Sequence, residues 1–62
     1  MTLRDEYVER FGSLMLGAEA MALNLMADDP ARQGYSKANA VLAVAEVFEL
    51  DESQENELDA RL

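Results

Sequence analysis

Apolar residues recur through the first half of the chain in steps of three and four. Leu3, Tyr7, Phe11, Leu14, Ala18, Met21 and Leu25 fall on one side of a helix turning about 100° per residue. Met15, Ala22 and Met26 widen that stripe, as in a helix packed into a core rather than a thin coiled-coil seam. The pattern predicts one long helix from Leu3 to Ala27, started by Thr2 as N-cap with Asp5 completing a weak capping box. Gly12 and Gly17 fall inside it, each at about 1 kcal/mol relative to alanine. Gly17 and Ala18, with Ala20 and Ala22 nearby, are read as points where another helix approaches closely. A break at Gly17, separating two helices, is the alternative.

The stretch from Leu14 to Ala27 is apolar on its far side as well. Leu16 and Leu23 lie two helical turns apart, nearly opposite the stripe, among Gly12, Glu19, Ala20 and Ala27. A leucine left in water forgoes roughly 1.5–3 kcal/mol relative to full burial, a large share of the stability of a small domain. Gly12, Leu16, Ala20, Leu23 and Ala27 are therefore the candidate face for self-association or for a partner. Glu19 and Asn24 interrupt the apolar stretch, either as its rim or as a buried pair fixing register. Met15, Met21 and Met26 read as core filling, although flexible thioethers also suit adaptable binding surfaces.

Asp28, Asp29 and Pro30 end the first helix, because a residue before proline is pushed out of helical geometry. Residues 28–35 form a connector with room for one helical turn over Pro30 to Gln33 closed by Gly34. Ser36 is the next N-cap, with Tyr35 placed to staple against Ala40. The second helix runs from Lys37 to Leu50. Ala38, Val41, Leu42, Ala45 and Phe48 make one apolar row and Ala40, Val44 and Val47 a second. Its valines suggest a strand, but strict alternation fails and four alanines favour helix. Asp51, Glu52 and Ser53 offer caps for a short third helix whose two apolar anchors, Leu58 and Leu62, should pack lightly.

At 62 residues the chain is one domain, residues 1–62. A domain of that size buries only about 60% of its unfolded surface, and with no cysteine it has no disulfide to reinforce it. The fold class expected is all-α: an antiparallel helical hairpin plus a short C-terminal helix, assembling as a dimeric helical bundle that covers the second face. The first eleven residues lack the apolar run of a signal peptide. Leu14 to Ala27 falls short of the roughly 20 apolar residues of a membrane span. A cytoplasmic protein is expected.

Thirteen acids against five bases give a net charge of −8. No cluster of lysine or arginine exists to meet a phosphate backbone or an anionic lipid surface, so neither direct nucleic-acid binding nor membrane binding is expected. The acids concentrate late: Glu49, Asp51, Glu52, Glu55, Glu57 and Asp59 stand against a single Arg61 in residues 49–62. These six are either a solubilising surface or an acidic face for a partner.

Chemistry is sparse. The chain has no histidine, the usual general acid/base near neutral pH, and no cysteine nucleophile. Ser13, Ser36 and Ser53 have no base to activate them. The run Asp51, Ser53, Glu55, Glu57 has calcium-loop spacing, but Asn56 stands where the turn glycine belongs. No catalytic residue, metal or cofactor is expected. The function expected is a non-enzymatic protein-interaction module, an adaptor or regulator acting through a helical face as a homodimer. The alternative is an acidic inhibitor or nucleic-acid mimic, of the sort phages and mobile elements encode, that blocks a basic nucleic-acid-binding protein.

Overall fold

The computed structural model describes residues 2–27 and 34–62. Among them the secondary structure is entirely helical, in four helices: α1 (Leu3–Phe11), α2 (Leu14–Ala27), α3 (Lys37–Phe48) and α4 (Glu52–Arg61). The connector expected at 28–35, including its turn over Pro30 to Gln33, lies outside the described residues except for Gly34 and Tyr35. No described helix is long and apolar enough to cross a membrane.

The expected single helix from Leu3 to Ala27 is two. Gly12 adopts φ 93°, a left-handed conformation that glycine enters without a Cβ penalty, and its N–H donates to the Val8 carbonyl at 2.8 Å. Ser13 follows at once, its Oγ accepting from the Leu16 N–H at 3.1 Å in the manner of an N-cap. A C-terminal stop and an N-terminal start in adjacent residues turn the chain, and α1 folds back along α2. Gly17, the alternative break point, lies inside α2 and is the contact point instead. A Cβ there would sit 3.0 Å from the Tyr7 carbonyl carbon and 3.2 Å from the Val8 nitrogen, so α1 and α2 meet backbone to backbone.

The break also redirects the apolar stripe. Leu3 and Phe11, expected in the core, are exposed, and no residue of α1 is fully buried. Tyr7 and Val8 pack against the core from its edge. The Tyr7 ring meets Phe48 edge-on at 6.2 Å and stacks on Phe11 at 5.9 Å.

The remaining caps follow local chemistry. Ser36 Oγ accepts from the Asn39 N–H at 3.2 Å and starts α3. That helix ends at Phe48, two residues short of the expected Leu50, because Glu49 turns into the left-handed region (φ 55°). The Leu50 N–H then donates to the Ala45 carbonyl at 2.9 Å, closing a Schellman motif with Leu50 packed against the core. Of the three candidate caps for the last helix, Asp51 is the one used. Its Oδ1 accepts from the Gln54 N–H at 2.8 Å and Gln54 Oε1 accepts from the Asp51 N–H at 3.0 Å, a reciprocal capping box.

The core is built from Ala18, Met21 and Ala22 of α2, Ala40, Val41, Val44 and Phe48 of α3, and Leu58 of α4. Its larger side chains, Phe48, Leu58 and Val44, sit among alanines that let the helices approach. Leu42, placed by its spacing in a core row, is instead 61% exposed. The buried arc of α3 runs through Ala40, Val41, Val44, Ala45 and Phe48, and Leu42 falls on the far side of it.

Candidate interaction surface

The outer face of α2 is set by what its inner face buries. Gly17, Ala18, Met21 and Ala22 point into the molecule, with Met15 and Met26 packed beside them at the core. Leu16 and Leu23 are rotated about 150° from the middle of that arc. They remain 44% and 50% exposed. Ala27 is exposed beside them and Ala20 half-buried between them. Four of the five residues expected on this face thus share one side of one helix. The fifth, Gly12, stands at the corner between α1 and α2, outside the helix, because the turn it caps ends α1.

Glu19 and Asn24 do not form a pair. They lie about 140° apart around α2, Glu19 half-buried on one flank of the leucines and Asn24 exposed on the other. The Asn24 Nδ2 donates to the Tyr7 hydroxyl at 3.2 Å and so ties α2 to α1. Its partner lies 17 residues away, beyond the reach of any local spacing rule.

The six late carboxylates are surface groups but not one surface. Glu52, Glu55 and Asp59 follow helical spacing on one flank of the buried Leu58, while Glu57 lies about 160° around α4 from Asp59. Glu57 Oε2 is 3.5 Å from Arg61 Nε and Asp59 Oδ1 is 3.9 Å from Lys37 Nζ. Both pairs are solvent-exposed and contribute at most about 1 kcal/mol each. Asp51 spends its carboxylate on the helix cap, and Glu49 sits at the end of α3. The run with calcium-loop spacing is helical from Glu52 onward, so alternate residues diverge by about 160°. Among the described residues no three carboxylates gather closely enough to hold a metal ion.

Two surface features escaped the sequence reading. One is an open depression of about 660 Å³ along α1, lined by Leu3, Glu6, Tyr7, Glu9 and Arg10. It carries charge of both signs. The other is Leu42, whose neighbours across the outer face of α3, Asn39 and Glu46, are polar and exposed, so that it stands alone where Leu16 and Leu23 form a row. No protein-family model, curated protein or solved structure matches the chain.

Proposed function

We propose that this chain is a non-enzymatic protein-interaction module, acting in the cytoplasm as a small adaptor or regulator that self-associates through the outer face of α2. The observation that carries the reading is the half-exposure of Leu16 and Leu23, two turns apart on the side of α2 turned away from the core. Burying the exposed half of each leucine is worth about 1 kcal/mol. Four such side chains in a homodimer therefore supply about 4 kcal/mol, comparable with the lower end of the entropic cost of association. The leucines alone leave no surplus, so a dimer in the millimolar range or tighter also needs apolar area buried around them.

Sedimentation equilibrium from about 10 μM to 1 mM tests it. The native chain should shift from monomer to dimer across that range. The double variant Leu16→Glu, Leu23→Glu should remain a folded monomer by circular dichroism. A double variant that still dimerises would overturn the assignment of this face.

An acidic inhibitor that competes with nucleic acid for a basic protein is the second reading. It draws on Glu52, Glu55 and Asp59, which share one flank of α4, Glu55 half-buried between its exposed neighbours. Its complex would loosen steeply with salt, because it would rest on charge rather than apolar area.

A further inference from the structure

We propose that α1 is a hinged strap: it swings off α2 about Gly12 and melts as one unit while α2, α3 and α4 keep their fold, uncovering the Gly17 side of α2 and the ring of Phe48. The inference is independent of self-association and of the leucine face.

The core is complete without α1. Its eight buried side chains all come from α2, α3 and α4, and α1 is the one described helix that contributes no buried residue. What α1 adds is cover. Half-buried Tyr7 and Val8 lie against the edge of the cluster, the Tyr7 ring stands edge-on to Phe48 at 6.2 Å, and the α1 backbone closes over Gly17. Among the described residues, the side-chain hydrogen bond that ties α1 to another helix is the one from Asn24 Nδ2 to the Tyr7 hydroxyl, and it lies in solvent. Releasing α1 therefore gives up the partial burial of two apolar side chains and no core residue.

The corner suits a hinge. Gly12 stands at φ 93° with open space where a Cβ would be, so its backbone turns without meeting a neighbour. The start of α2 does not depend on α1: Ser13 Oγ accepts from the Leu16 N–H and the Ser13 carbonyl accepts from the Gly17 N–H at 2.9 Å. The ends of α1 are equally its own, the Thr2 and Asp5 capping box at one and the Gly12 N–H on the Val8 carbonyl at the other. The boundary between two cooperative units thus falls at one pair of residues. At nine residues α1 is shorter than the roughly 12–15 at which an isolated helix is even marginal in water, so it melts when it leaves.

Hydrogen exchange of the full chain, followed amide by amide by NMR, tests the strap. The amides from Glu6 to Gly12 should share one protection factor, at least about tenfold below that of Ala22, Val41 and Val44. Protection that instead grades inward from Thr2, with Gly12 as slow as the core, is end fraying and would overturn the proposal. Asp51→Ala then separates an independent opening from global unfolding. It weakens the start of α4, which the open and closed forms share, so the core amides should exchange about two- to thirtyfold faster while those of α1 keep their native rate. If the α1 amides speed up by the same factor as the core, α1 opens only with the whole molecule and the strap is refuted.

Discussion

At φ 55° and ψ 47°, Glu49 holds a conformation that costs an ordinary L-residue about 1–2 kcal/mol, because its Cβ crowds the following carbonyl. Glycine escapes that crowding, so Glu49→Gly should raise the unfolding free energy by about 1 kcal/mol in urea titration. No change would mean that the left-handed turn is relaxed in solution. Gly12 makes the reverse case. At φ 93° with open space around its Cα, Gly12→Ala should cost about 1 kcal/mol purely through backbone strain. Gly17 is kept small for a different reason. Its backbone conformation is ordinary, and alanine there would gain helix propensity, but the new methyl would press on the backbone of Tyr7 and Val8. Gly17→Ala should therefore lower the melting temperature and break the Asn24 to Tyr7 hydrogen bond. A higher melting temperature would show that α1 shifts to make room. Gly34 is the tightest of the three, since a Cβ there would overlap the Met26 carbonyl oxygen where the chain leaves α2.

Among the elements, α4 depends most on one residue. Leu58 is completely buried, while the rest of the helix is, apart from Ala60, polar and largely exposed. Leu58→Ala should cost about 2–5 kcal/mol, against a total of about 3–9 kcal/mol for a domain of this length. Protease cleavage within 52–61 should rise in that variant before global unfolding; protection equal to the native chain would show that the cap and ion pairs suffice. Asp51→Ala should cost only about 1 kcal/mol, being the loss of a cap. The helix starts at Thr2, Ser36 and Asp51 could be read from the sequence because capping is local chemistry, decided within four residues. The corner at Gly12 could not be read from periodicity. Phe11 to Leu14 is a step of three, so the apolar rhythm continues across the break as though the helix did. The clue was the pairing of a glycine with a following serine, one residue suited to end a helix and the next to begin one. Leu42 failed for another reason. Both apolar rows of α3 satisfy helical spacing, and its packing against α2 and α4 buries an arc that takes Val41, Ala45 and Phe48 from one and Ala40 and Val44 from the other. The α2 leucines were legible because they lie opposite the buried arc whichever way that arc is trimmed. The separation of Glu57 from Glu52, Glu55 and Asp59 follows from helical spacing alone and could be read once this stretch was taken as a helix.

For the molecule as a whole, charge decides how salt acts on any contact it makes. Each copy carries −8, so two copies approach against a repulsion that spreads well beyond the leucine face. Raising NaCl from about 0.05 M to 0.5 M shortens the screening distance from about 14 Å to about 4 Å and removes most of that repulsion. The apolar gain at Leu16 and Leu23 does not weaken with salt over this range. Dimerisation through α2 should therefore tighten as salt rises. A complex between the acidic flank of α4 and a basic protein should do the reverse, because there salt screens an attraction. The two readings predict opposite slopes for the same titration. A homodimer constant that strengthens several-fold over the range would place self-association in the leucine face. A dimer that dissociates in high salt would place it in charged contacts instead, and the α2 face would have to be given up as its seat.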